Sequence, residues 1–148
     1  MGIREEMTTL VRHEGEWEGT YVYIDEDGTV TDRHHAHLTC AFPEDGAHPY
    51  LQTNRYRWDD GRSEEFLFPA TYKDGRIHFD TERMSGHAWD VDDRITVLTW
   101  TYTHDPSGYF YEMIHLSEDG NARCRTWHFI QDGRCTRRVL INERRIRP

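Results

Sequence analysis

Apolar and polar residues alternate along most of this chain in short stretches rich in Tyr, Trp, Phe, Val, Ile and Thr, as half-buried strands require. The stretches are separated by turn signals. Asp-Gly is the strongest of these, because type I′ hairpin turns need positive φ at both central residues. Six such pairs occur: Asp27-Gly28, Asp45-Gly46, Asp60-Gly61, Asp74-Gly75, Asp119-Gly120 and Asp132-Gly133. The interval without one is broken by Met84-Ser85-Gly86, by Asp92-Asp93 and by Asp105-Pro106-Ser107-Gly108. Nine breaks predict about ten strands. Only residues 1–12 read as helix, a short cap with Ile3, Met7, Leu10 and Val11 on one face. An antiparallel meander of this length closes on itself to remove its edges, so the fold class expected is all-β, a single up-and-down barrel over residues 1–148.

Two-residue turns set register, which places side chains on faces. Around Asp27-Gly28, Trp17 falls opposite Leu38, Gly19 opposite Ala36 and Tyr21 opposite His34, an aromatic and small face suited to a cavity wall. Around Asp60-Gly61, Tyr56 is expected opposite Glu65 and Asn54 opposite Leu67. Around Asp119-Gly120, Tyr111 meets His128, Glu112 meets Trp127 and Met113 meets Thr126. Around Asp132-Gly133, Trp127 is expected to meet Arg138, and His128 to meet Arg137. A single bulge would reverse every later assignment in its strand.

Charge and composition narrow the function. The 148 residues carry a net charge of −9 with both signs interspersed, which offers no basic stripe for nucleic acid. No apolar run approaches the roughly 18 residues of a membrane span, and the first residues show no signal-peptide core. Cys40, Cys124 and Cys135 are odd in number and lack CxxC spacing, so neither a disulfide framework nor a zinc knuckle is indicated. A reduced, cytoplasmic protein is the expectation. Phosphate loops, nucleophile elbows and dinucleotide fingerprints are absent from the sequence, and no cofactor is expected.

The candidate chemistry lies in a few polar side chains. Tyr111 and His128 face each other across two strands and could exchange a proton near neutral pH; a hydrogen-bonded pair that steadies the sheet is the plainer alternative. Gln52, Asn54 and Tyr56 share one strand face and suit a polar cavity wall, with Tyr21 lining it from the first hairpin. Glu112, diagonal to Arg125, is either solvated or inward with a raised pKa or an arginine partner, and a structural Arg–Glu–Trp stack competes with a binding role for Arg125. Trp89 and Trp100 read as core, a surface that merges with the ligand wall in a barrel this wide. Of His34, His35 and His37, the last two share a face and the first points away, which makes metal ligation awkward; no metal site is expected.

Gly15-Glu16-Trp17 at the start of the first strand, after a short helix, resembles the G-x-W of lipocalin-like (calycin) barrels. The basic end Asn142-Glu143-Arg144-Arg145-Ile146-Arg147 is similar to the place where such barrels bring an arginine across that tryptophan. The whole chain resembles the DUF3598-type bacterial family of unknown function, through His13–Tyr21, Gln52–Tyr56, Phe68–Tyr72, Asp80–Arg83 and Arg125–His128. That resemblance implies a calycin barrel with a ligand cavity, closer to the ten-stranded intracellular branch than to secreted, disulfide-bonded lipocalins of eight strands.

Together these readings predict a barrel that binds a small hydrophobic organic molecule. The leaning is to a cofactor-independent acid–base enzyme, a cyclase, isomerase, hydratase or lyase acting on a ring-containing metabolite. Its catalytic pair would be His128 and Tyr111, with Tyr21, Gln52, Asn54, Tyr56, Trp89 and Arg125 binding substrate. The alternative is a non-catalytic carrier or sensor, with haem a disfavoured ligand. Nucleic acid and membrane are not expected partners, and a homodimer is left open.

Overall fold

The computed structural model describes residues 2–148. Ten antiparallel strands run β1 (Gly15–Asp25), β2 (Val30–Ala41), β3 (Tyr50–Arg57), β4 (Ser63–Lys73), β5 (Arg76–Asp80), β6 (Met84–Asp90), β7 (Ile95–Tyr102), β8 (Asp105–Leu116), β9 (Ala122–Gln131) and β10 (Arg134–Arg147). Each pairs with its sequence neighbours, and β1 pairs with β10 to close the barrel. The expected all-β closed meander is therefore the observed fold.

Two sequence breaks sit differently. Met84-Ser85-Gly86 lies inside β6, the turn falling just before it, and Asp105–Gly108 opens β8. The expected single helix is two short turns, α1 (Ile3–Glu6) and α2 (Thr8–Val11), interrupted at Met7, whose φ of −112° and ψ of 60° are not helical. The predicted apolar face survives this break: Ile3, Met7 and Leu10 are buried. The backbone N–H groups of Thr9 and Leu10 donate to the Asp90 carboxylate at 3.0–3.2 Å, so a strand-end side chain satisfies the orphan donors of α2. The helices thereby plug one end of the barrel.

At that plugged end Trp17 is fully buried between two guanidinium groups, Arg123 and Arg145, each with its central carbon 4.4 Å from the indole centroid. The arginine expected across this tryptophan is Arg145, which also donates to main-chain carbonyls of Glu14 and Gly120.

Turn chemistry decides which expected registers hold. Asp74-Gly75 and Asp132-Gly133 have positive φ at both residues, as type I′ turns require. The first hairpin keeps Trp17 opposite Leu38 and Tyr21 opposite His34 because a three-residue loop is offset by a register shift between Tyr23 and Ile24. Around Asp60-Gly61 the loop also has three residues, so Tyr56 faces Glu64 and Asn54 faces Phe66, not Glu65 and Leu67. Beyond Asp132-Gly133 a bulge between Cys135 and Arg137 sets Arg138 opposite His128 and Val139 opposite Trp127. Both corrections move an aromatic or charged side chain from one face of the barrel to the other.

Candidate functional site

The end of the barrel opposite the helices is open and leads to a cavity of about 290 Å³. Its mouth is aromatic, with Tyr23, Trp58, Phe66, Trp100, Tyr102 and Trp127 on the wall. Alternation along each strand turns these residues inward, and the three-residue loop after β3 is what places Phe66 and Phe68 there.

Deeper in the barrel the wall becomes polar. On β3 the Tyr50 hydroxyl donates to Gln52, the Gln52 amide to Asn54, and the Asn54 amide to the Tyr56 hydroxyl, each at 2.8 Å. Tyr56 donates in turn to the Tyr21 hydroxyl at 3.5 Å, which also accepts from Arg125. Arg125 donates to Glu112 at 3.0 Å and to Glu143 at 2.8 Å, and Arg123 donates to the same Glu143 oxygen at 2.7 Å. Arg123 continues the chain to His13 Nδ1 at 3.1 Å. Two buried guanidinium groups thus meet two buried carboxylates, and the network is charge-balanced. Gly19, paired with Glu143 across β1 and β10, makes room for it: a Cβ there would stand 1.9 Å from the Asn142 carbonyl oxygen and 2.8 Å from Glu143 Cγ.

Electrostatics separates the two carboxylates. Burial pushes both up, but Arg123 and Arg125 together pull Glu143 down to about 2. Glu112, with Arg125 alone in contact, stays above the usual carboxylate range because burial prevails. Burial likewise raises the phenols of Tyr21, Tyr23 and Tyr56, which keeps them as hydrogen-bond donors.

His34 occupies the boundary between the polar floor and the aromatic mouth. Its ring stacks on Tyr21 at 4.8 Å and lies 4.5–4.7 Å from Trp58 and Tyr56. Asp32 accepts from Nδ1 at 2.8 Å, and its second oxygen accepts from Trp58 Nε1 at 2.9 Å. Burial lowers the imidazole pKa even against the Asp32 charge, so the ring is neutral near pH 7. With its proton on Nδ1, Nε2 carries a lone pair, and this buried atom has no hydrogen-bond partner among the described residues.

The expected site residues divide cleanly. Tyr21, Gln52, Asn54, Tyr56 and Arg125 line the cavity together. Tyr111 and His128 do pair across β8 and β9, but on the outer face; Tyr111 is 45% exposed, and Phe110 and Trp127 are the inward neighbours. Trp89 also points outward, under Arg76 and beside His87. All three are corrections. Strand parity fixes that Tyr111 and His128 share a face, but the neighbouring residues, apolar on both sides, do not say which face it is. Glu112 proves to be inward, with both the arginine partner and the raised pKa.

His34 and Asp32 were missed as a functional pair. The signal was present, since His34 opposite Tyr21 already fell on the cavity face of the first hairpin. His35 and His37 point outward to Asp59 and Glu16. They flank a broad depression of about 1110 Å³ over the outer strand faces, where charged side chains such as Arg55–Glu65 and Arg144–Glu18 pair with one another in solvent. The buried, unpartnered atoms lie inside the barrel, and the interior cavity is the candidate site.

A family model described as a domain of unknown function (DUF3598), N-terminal, matches residues 4–147. This chain belongs to the DUF3598 family. Its fold is similar to that of a DUF3598 protein of unknown function from Nostoc punctiforme, with a TM-score of 0.72 and 21% identity over 93% of this chain. This DUF3598 chain spans about half of that protein, 49% of its length. An S-type phycobiliprotein lyase from Guillardia theta is similar with a TM-score of 0.71, 14% identity and coverage of 98% of this chain and 93% of the lyase. A Mycobacterium tuberculosis protein follows at a TM-score of 0.63, 12% identity and coverage of 95% and 96%. Identities this low establish a shared fold. Among curated proteins none is significantly similar in sequence to this DUF3598 chain.

Proposed function

We propose that this barrel binds a compact, flat, ring-containing organic molecule and acts on it by cofactor-independent acid–base chemistry, with His34 as the proton acceptor. The carrying observation is the orphaned Nε2 of His34, buried at the aromatic mouth while Asp32 holds the other ring nitrogen. A ligand N–H or O–H can pair with this acceptor, which no protein donor among the described residues satisfies. The aromatic wall supplies stacking surface for a planar ring, and the few polar groups behind it orient that ring.

The roles differ from those expected of the outer pair. His34 takes a proton through Nε2, and Asp32 orients the ring and stabilises the imidazolium that forms. The imidazolium returns the proton from the same Nε2, while Glu112, held by Arg125, lines the cavity as a fixed hydrogen-bond acceptor. An isomerase, cyclase, hydratase or lyase needs no more than the His34–Asp32 pair and a shaped, dry cavity. The Guillardia theta protein places a lyase on the same scaffold.

Native mass spectrometry of the purified protein, followed by a turnover screen of the co-purified molecule and its analogues, tests the reading. His34→Gln is expected to lower turnover by about 10² to 10⁴ with a much smaller change in affinity. A wild type that binds without turnover, and a His34→Gln that only loses affinity, would establish the carrier instead. Hemin is expected to give no histidine-dependent Soret shift; if it does, the haem sensor displaces the enzyme.

A further inference from the structure

Arg137 stands apart from the buried arginines of the barrel floor and from Arg83, which lines the cavity mouth over Phe66 but is exposed. Arg123 and Arg125 are neutralised by Glu143 and Glu112, and Arg145 donates to main-chain carbonyls. Arg137 sits inside a cage of three rings, its guanidinium carbon 5.2 Å from the Phe129 centroid, 5.7 Å from Trp127 and 5.9 Å from Phe110. Among the described residues its buried Nε has no hydrogen-bond partner and no carboxylate pairs with it. Three aromatic faces attract the cation but offer no acceptor for its N–H groups.

The placement has a specific cause. A straight continuation of the Asp132-Gly133 hairpin would put Arg137 on the outer face, opposite His128. The bulge between Cys135 and Arg137 pairs it with Phe129 and turns it inward. Trp127, one ring of the cage, is also part of the cavity wall. On β1, between the two sites, Tyr23 pairs with Asp32 on one side and Asp25 pairs with Arg137 on the other. His34 pairs with Tyr21 and Arg137 with Asp25, so the two flank β1 roughly 10 Å apart around the wall and roughly 13 Å apart along it, a gap that the long Arg137 side chain narrows by reaching toward Trp127.

We propose that Arg137 is the anchor for a carboxylate on the ligand, so that the molecule bound is an aromatic or conjugated carboxylic acid. This rests on the reading of the cavity as a ligand site and adds its substrate class. The ring stacks at the aromatic mouth, its acidic N–H or O–H meets His34 Nε2, and its carboxylate accepts from the Arg137 guanidinium. A carboxylate bound at a caged guanidinium loses its water to charge-assisted hydrogen bonds, which an uncharged isostere cannot make as strongly.

The probes are 2-naphthoate and its uncharged isostere 2-naphthamide, titrated by calorimetry and by quenching of tryptophan fluorescence. Wild type is expected to bind the acid on the order of tenfold to a hundredfold more tightly than the amide at pH 7. Arg137→Gln should abolish that preference while leaving the amide affinity within about twofold, and Arg137→Lys should restore part of it. Melting curves establish that each variant is folded; if Arg137→Gln is not, Arg137→Met is read in the same way. Equal binding of acid and amide by wild type, or an acid preference that survives in Arg137→Gln, overturns the anchor and leaves the cavity reading standing. Failure of both probes to bind wild type overturns the cavity reading and the anchor with it.

Discussion

Replacing Glu143 by Gln tests the physical account of the barrel floor most directly. The side chain keeps its size and an acceptor oxygen but loses the charge that faces Arg123 and Arg125. Burial alone would raise the Glu143 pKa, yet the two guanidinium groups bring it from 4.5 down to about 2. At about 1.4 kcal/mol per pH unit, that depression corresponds to roughly 3 kcal/mol of native-state stabilisation at neutral pH. Removing one partner of a buried ion pair costs about 3–5 kcal/mol in general, so the two routes agree. The sign follows from proton counts. Between about 2 and 4.5 the unfolded chain holds a proton on Glu143 that the native barrel does not, so this contribution is complete above pH 4.5 and is lost as pH falls towards 2. Glu112 works the other way, since its native pKa is raised; the Glu143 charge is one cause of that rise, so the variant relieves part of it and the measured gap includes this smaller, opposing change. Urea denaturation at pH 7 should therefore show Glu143→Gln less stable by about 3 kcal/mol, with a melting temperature lower by about 10 °C. The gap should narrow steadily below pH 4.5. A loss under about 1 kcal/mol at pH 7, or a gap that does not change with pH, would refute the idea that Glu143 is held ionised by the two arginines.

Two further outcomes are expected. Tyr111→Phe and His128→Ala lie on the outer face, so each should change stability by no more than about 0.5 kcal/mol and leave 2-naphthoate binding unaltered in the same calorimetric assay; a specific loss of binding would return the site to that wall. Thiol titration of the native protein should find Cys124 reactive at once, Cys135 more slowly and Cys40 only on unfolding, because they are exposed, half-buried and buried respectively; a thiol count below three in denatured, unreduced protein would reveal a disulfide.

Local pattern alone determined much of this molecule. Turn signals at or beside the nine boundaries marked out ten strands, the helix-period face of Ile3, Met7 and Leu10 marked the cap, and the resemblance of Gly15-Glu16-Trp17 and the basic end to lipocalin-like barrels pointed to an arginine across Trp17. Gln52, Asn54 and Tyr56 were legible as a cavity wall because their strand presents charged residues on the opposite face. What the sequence left open was decided by single residues of register. Strand side chains repeat with a period of two, so one extra residue in a turn or bulge exchanges the two faces. Neither the three-residue loop at Asp60-Gly61, which brings Phe66 inward, nor the bulge that brings Arg137 inward has a signature of its own in the sequence. For Tyr111 and His128 the parity was correct and the face was not, since only closure of the sheet defines an inside. The same closure gathers His34 from β2, Arg125 from β9 and Glu112 from β8 around one cavity, a convergence that depends on contacts between residues far apart in the chain.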